Sequence, residues 1–114
     1  MIVFPSAKIN IGINITGRRP DGYHNIETVF HPLPIYDALE ALPGDELTFH
    51  SSGLDIPGRI EDNLCIKGYH LITKDHDLPP VNIHLLKHIP IGAGLGGGSA
   101  NAAFFIKLIN NLFD

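Results

Sequence analysis

The chain has 114 residues, 44% of them hydrophobic and 18% charged, the composition of one ordinary globular domain large enough for a single core. A formal charge of −4 and a pI near 5.9, with Arg18-Arg19 as the only basic pair, argue against nucleic acid as a partner, which needs clustered lysines and arginines. No apolar run approaches the ~20 residues that span a bilayer, and Met1 to Pro5 offers neither a basic segment nor a cleavage site, so no membrane partner and a cytoplasmic location are expected.

Ile9, Ile11, Ile13 and Ile15 alternate with Lys8, Asn10, Gly12 and Asn14. This is the period-two pattern of a strand with one buried and one polar face, and it makes Lys8 and Asn10 project together. Turn formers fill Thr16 to Gly22, and Ile26 to His31 reads as a returning strand. Pro32, Pro34, Pro43 and Gly44 punctuate the next stretch, Glu46 to His50 reads as a short strand, and Ser51 to Arg59 as loop. Asp62 is the expected N-cap of a helix with Leu64, Gly68, Leu71 and Ile72 on one stripe, closed by Asp75 to Pro80. Cys65, the single cysteine, reads as a packed side chain, with a catalytic thiol as the alternative.

Val81, Ile83 and Leu85 restore strand alternation. After a glycine-rich stretch, Ser99 is the expected cap of a helix through Phe113, with Ala102, Phe105, Ile106, Ile109 and Phe113 on its apolar face. His31, His50, His70, His76, His84 and His88 lack metal-ligand spacing, so no protein metal site is expected. The order strands, helix, strand, glycine loop, helix predicts one α+β domain, a mainly antiparallel sheet with helices packed on one side. Its helical pattern still runs at Leu108 to Asp114 without a closing cap, which predicts a piece of a longer protein.

Pro90 to Asn101 carries five glycines, Gly92, Gly94, Gly96, Gly97 and Gly98, between a strand and a helix. Glycines admit positive φ and let an anion approach the main-chain N–H groups, while the helix start adds unpaired donors and a partial positive charge, so phosphate is the expected ligand. Ser99 could cap the helix, bind a phosphate oxygen or hold a metal ion. Gly92, Gly94 and Gly97 satisfy G-x-G-x-x-G, but the acidic residue expected ~20 positions later for a dinucleotide site is not present. A Walker A loop requires Lys before the Ser, and Gly98 precedes Ser99 directly. A protein-kinase glycine loop lies between two strands rather than before a helix.

The pattern Pro90-Ile91-Gly92-Ala93-Gly94-Leu95-Gly96-Gly97-Gly98-Ser99-Ala100 resembles the phosphate-binding motif of the GHMP superfamily of small-molecule kinases. Pro5-Ser6-Ala7-Lys8-Ile9-Asn10 with Gly17 to His24 resembles, within it, the branch that phosphorylates a cytidine-diphosphate-linked methylerythritol. The resemblance runs from Phe4 to the end, strongest at Pro5 to Phe30 and Ile89 to Ala103. It implies a GHMP-kinase N-terminal domain of the ribosomal protein S5 domain 2-like fold over residues 1–114, truncated, with the C-terminal domain absent. The implied activity is transfer of the γ-phosphoryl of ATP, with Mg2+, to the 2-hydroxyl of that small-molecule substrate in non-mevalonate isoprenoid biosynthesis.

Residue by residue, the resemblance gives Lys8 the catalytic lysine's place, where an ammonium can lower a hydroxyl's pKa or stabilise charge on transferring oxygens. Asn10 matches a substrate contact beside the reacting hydroxyl, Tyr23 and His24 match residues that hold the cytidine base, and Phe30 matches an aromatic facing the substrate, with a core role as its alternative. Asn63 and Lys87 match positions near the adenine and ribose. The loop from Pro90 to Ala100 is the implied ATP site. The family's proposed base, an aspartate in a later Gly-Ala-Asp segment, has no counterpart here, and Asp114 does not replace it. Residues 1–114 alone are therefore expected to have little or no kinase activity. Another GHMP-type kinase, or a non-catalytic nucleotide-binding module, is the alternative reading.

Overall fold

The computed structural model describes all residues from Met1 to Asp114. The alternation at Val81, Ile83 and Leu85 forms a strand, Val81–Lys87, at the middle of a four-stranded sheet. In chain order the elements are β1 (Ile2–Val3), β2 (Ser6–Arg18), β3 (His24–Tyr36), β4 (Ala38–Pro43), β5 (Thr48–Gly53), a 3-10 turn (Ile60–Asp62), α1 (Leu64–Ile72), β6 (Val81–Lys87) and α2 (Gly97–Phe113). The sheet runs β1-β4-β6-β5, and β2 with β3 makes a separate two-stranded ribbon. Every pair is antiparallel except β5 with β6, so the sheet is mainly antiparallel, as expected.

One face of the sheet, Leu39 and Ala41 from β4 with Val81, Ile83 and Leu85 from β6, packs on Cys65, Ile66 and Tyr69 of α1 and on Phe105, Leu108 and Ile109 of α2. Removing these side chains from water is the main force holding the domain together. The helices approach closely at Gly68, where a Cβ would already touch Phe105 Cδ1 at 3.7 Å. The predicted α1 stripe is corrected here: Leu64 and Leu71 are exposed, and Cys65, Ile66, Gly68 and Tyr69 face the core. On α2, Phe105 and Ile109 are buried as expected, whereas Ile106 is exposed and Leu108 takes its place. No helix is long and apolar enough to cross a membrane.

The β2–β3 ribbon is longer than its sequence pattern announces. β3 continues through Pro32 and Pro34 to Tyr36, because β3 pairs with β2 alone and a proline on the free edge removes no ladder bond. The expected buried isoleucine face does not form. Ile9, Ile11, Ile13 and Ile15 are all exposed, the last at 63%, because the ribbon contributes nothing to the core cluster. Gly12, with φ +70°, is an unpaired bulge between Ile11↔Val29 and Ile13↔Thr28. A bulge reverses face parity, so Ile13 lies on the face of Asn10 and Phe30 rather than on that of Ile9 and Ile11.

Candidate functional site

The stretch from Pro90 to Ala100 leaves β6, crosses the top of the domain and enters α2. Gly92, Gly94 and Gly96 take φ of +70°, +74° and +70°, with ordinary residues between them, and such alternation curves the backbone so that successive N–H groups point into one concavity. None of the N–H groups from Ile91 to Ser99 donates to a protein acceptor, and the first loop bond is Ala100 N–H to Gly96 O at 2.9 Å. The N-cap of α2 is Gly96, with no side-chain cap, which corrects the assignment of that role to Ser99. Ser99 lies in the first turn, exposed.

Lys8 joins this loop to the ribbon. Its backbone N–H donates to Leu95 O at 3.0 Å, and its ammonium donates to Gly94 O at 3.0 Å and Asn10 Oδ1 at 2.7 Å. Phe30, paired with Asn10 across the ribbon, puts its ring centroid 5.5 Å from the same nitrogen, a cation–π distance. At 61% exposed, Phe30 is not a core residue and stands on the site face. Gly96 admits the lysine stem: a Cβ there would lie 2.9 Å from Lys8 Cε. Gly96→Ala therefore meets both a left-handed φ and a collision, and is expected to weaken ATP binding about tenfold. Gly94→Ala, with nothing within 4 Å, is expected to lose less; titration with an ATP analogue compares them.

Beneath the loop lies a buried polar cluster that no sequence pattern announced. Asp37, between β3 and β4 and 1% exposed, accepts at Oδ1 from the His88 and Ile89 N–H groups at 2.7 and 2.8 Å. Its Oδ2 accepts from Lys87 Nζ at 2.6 Å and from Asn101 Nδ2 at 2.9 Å. Lys87 Nζ also donates to Asn101 Oδ1 at 3.1 Å. Burial pushes the Asp37 carboxyl up, but the Lys87 ammonium, the two backbone donors and Asn101 outweigh it, so its pKa lies below the ordinary 3.8. The cluster ties the strand end before the loop to the helix turn after it. Lys87, expected beside the nucleotide, is 3% exposed with its charge engaged by Asp37, so it supports the loop, and its side chain also borders the cavity beside the loop. Cys65 is inert, its thiol pushed by burial up to about 12.

A cavity of about 230 Å³ opens beside the loop, bounded by Phe49, Ile60, Asn63, Leu64, Ile91 and Gly98, and its apolar walls suit a flat heterocycle. Asn63, not Asp62, is the N-cap of α1: its Oδ1 accepts from Cys65 N–H at 2.9 Å. Its Nδ2 makes no protein hydrogen bond, and the residue borders the cavity. Asn63→Asp keeps the cap oxygen and is expected to preserve thermal stability while weakening ATP binding; Asn63→Ala is expected to lose about 1 kcal/mol of stability as well.

Tyr23 and His24 sit at the opposite end of the ribbon from Lys8, in a turn closed by Arg19 N–H to Tyr23 O at 2.7 Å and by Tyr23 N–H to Asp21 Oδ1 at 3.1 Å. Tyr23 is 72% exposed. Within these residues neither reaches the loop. The site residue that sequence reasoning missed on the ribbon is Thr28, whose Oγ1 donates to Gly12 O at 2.5 Å and accepts from Asn10 Nδ2 at 3.3 Å. The six histidines named above are all exposed, and no group of three metal-binding side chains gathers anywhere.

Residues 63–114 match the family profile described as GHMP kinases N terminal domain. A 4-diphosphocytidyl-2-C-methyl-D-erythritol kinase of Bacteroides fragilis is 57% identical over an alignment covering all of this chain and 43% of the relative. The crystal structure of a 4-(cytidine 5'-diphospho)-2C-methyl-D-erythritol kinase superposes with a TM-score of 0.80 at 34% identity, over 99% of this chain and 41% of that one. Phosphomevalonate kinase of Streptococcus pneumoniae, solved with phosphomevalonate and AMPPNP, shares the fold at a TM-score of 0.66 and 16% identity, over 99% of this chain and 37% of that one. The chain thus spans less than half the length of the curated relative it matches. Motif, fold and sequence likeness agree along its length: the chain carries the fold of a GHMP-kinase N-terminal domain and is similar throughout to the N-terminal part of these kinases.

Proposed function

We propose that the protein containing this chain transfers the γ-phosphoryl group of ATP to the 2-hydroxyl of 4-diphosphocytidyl-2-C-methyl-D-erythritol, a step of non-mevalonate isoprenoid biosynthesis. Residues 1–114 supply its ATP cradle and one wall of its alcohol site. The observation that carries this reading is the Lys8 ammonium, which donates at once to Asn10 on the ribbon and to Gly94 of the loop. One cation thus stands between the phosphate cradle and the strand face that would hold the alcohol, where negative charge develops during phosphoryl transfer.

The residues fit ATP. Unpaired N–H groups of the loop donate to the phosphate oxygens, and the slot beside Asn63 and Leu64 takes the adenine. Mg2+ would travel with the phosphates, with the Ser99 hydroxyl as this chain's ligand and phosphate and water oxygens as the others. Asn10 orients the reacting hydroxyl, Phe30 flanks it, and Tyr23 and His24 grip the cytosine by stacking and hydrogen bonding. No carboxylate shares the face of Lys8. Glu27, beside Thr28, projects to the other side of the ribbon and accepts from Asn14, and Asp37 is engaged below the loop. The resemblance assigns the proton acceptor to a later Gly-Ala-Asp segment that residues 1–114 do not hold, and these residues alone are expected to turn over little.

The test is ADP release by the full-length protein. Turnover is expected with ATP and 4-diphosphocytidyl-2-C-methyl-D-erythritol and not with phosphomevalonate. The reverse preference would assign another GHMP-type activity, and ATP binding without turnover of either would leave a nucleotide-binding module.

A further inference from the structure

The amide of Asn10 has two ends of similar shape and opposite polarity, and only one of them can face an ammonium. Lys8 carries donors alone, so Asn10 must present Oδ1 to it, and does so at 2.7 Å. What prevents the amide from turning is found across the ribbon. The Thr28 hydroxyl gives its single proton to the Gly12 carbonyl at 2.5 Å, so toward Asn10 it can only accept, and it takes Nδ2 at 3.3 Å. The Gly12 carbonyl is free for this because Gly12 is the bulge residue, at φ +70° and unpaired in the ladder. Polarity is thereby passed in one direction: bulge carbonyl, Thr28 hydroxyl, Asn10 amide, Lys8 ammonium, Gly94 carbonyl.

We propose that Thr28 is a positioning residue for phosphoryl transfer: its hydroxyl, oriented by the bulge carbonyl, locks the Asn10 amide with its oxygen on the Lys8 ammonium, and so holds that ammonium against the phosphate loop. The inference rests on the kinase reading given above. It also assigns a purpose to the Gly12 bulge, which frees the carbonyl, while Thr28 shares the face of Phe30 by the alternation of β3.

Thr28 is partly exposed on the ribbon, so Thr28→Val keeps shape and strand preference while deleting the hydroxyl. In the full-length protein this variant is expected to lower kcat about tenfold, with KM for ATP changed less than about twofold and the thermal midpoint nearly unchanged. Thr28→Ser, which retains the hydroxyl, is expected to restore most of kcat. In an Asn10→Ala background, Thr28→Val is expected to add nothing, because the hydroxyl acts only through the amide.

The proposal is overturned if Thr28→Val turns over like the unsubstituted protein. It is equally overturned if Thr28→Ser is as impaired as Thr28→Val, if the full loss persists in the Asn10→Ala background, or if the loss is accounted for by a lowered thermal midpoint. An unsubstituted protein inert toward both substrates removes the kinase reading and this inference together, whereas an active one matched by Thr28→Val removes this inference alone.

Discussion

Lys8→Met in the full-length protein is expected to reduce kcat by roughly a hundredfold to a thousandfold, the usual loss when a preorganised electrostatic group is removed from a transferring centre. Methionine keeps an unbranched stem, so packing against Gly96, where a Cβ would lie 2.9 Å from Lys8 Cε, is preserved and the effect reports the charge. Binding of ATP should change little, because the loop's own N–H groups hold the phosphates and the lysine contributes where charge develops. Lys8→Arg is expected to rescue poorly. Its forked guanidinium cannot meet Asn10 Oδ1 and Gly94 O in the place of a compact ammonium held at 2.7 and 3.0 Å, a geometry specific to lysine. Steady-state kinetics of the variants, with KM and kcat separated, check this. Equal turnover by Lys8→Met would remove Lys8 from the catalytic machinery.

That Lys8 and Asn10 share a face was legible from alternation alone, and the glycine loop from composition alone, because both are local. Strand parity needs only a count by two, and five glycines before a helix have few other uses. The same count failed two residues later, at Gly12. A bulge inserts a residue without any change in hydropathy pattern, so Ile13 and Ile15 read as continuing the face of Ile9 and Ile11 when they had crossed to the other. The caps failed for a related reason. Asp62 and Ser99 are good capping residues by type, but the cap is whichever residue has the boundary φ and ψ, here Asn63 and the left-handed Gly96.

Asp37 lay beyond any local rule. It stands 50 residues from Lys87 and 64 from Asn101 along the chain, and only the tertiary fold makes a lone aspartate after Tyr36 the centre of a cluster. The burial of Lys87 was equally out of reach, since a strand-end lysine is ordinarily solvated. The open isoleucines of the ribbon were misread because a period-two pattern says which side chains share a face, not what covers that face.

Asp37→Asn is the substitution expected to destabilise this domain most among its polar residues. It leaves the Lys87 ammonium, 3% exposed, without a counter-charge. It also sets an NH2 group against either that ammonium or the His88 and Ile89 donors, all four partners of the carboxylate being donors. Breaking a buried pair from one side costs about 3–5 kcal/mol, a fall in Tm of more than about 10 °C for a domain of this size. Asp37→Leu combined with Lys87→Met removes both charges and is expected to cost less than the sum of the single changes. The dependence on pH gives the sign. Asp37 titrates below 3.8 in the fold, so its contribution is complete at pH values above the unfolded carboxyl pKa and is lost as pH falls below it toward the folded value. The Tm gap between the unsubstituted protein and Asp37→Asn should therefore stay constant above about pH 5 and narrow toward pH 3. Because the same carboxylate fixes His88 and Ile89 before the loop and Asn101 after it, ATP affinity should fall even at temperatures where the variant is folded. Stability lost with ATP affinity intact would mean that the loop keeps its curvature without the cluster beneath it.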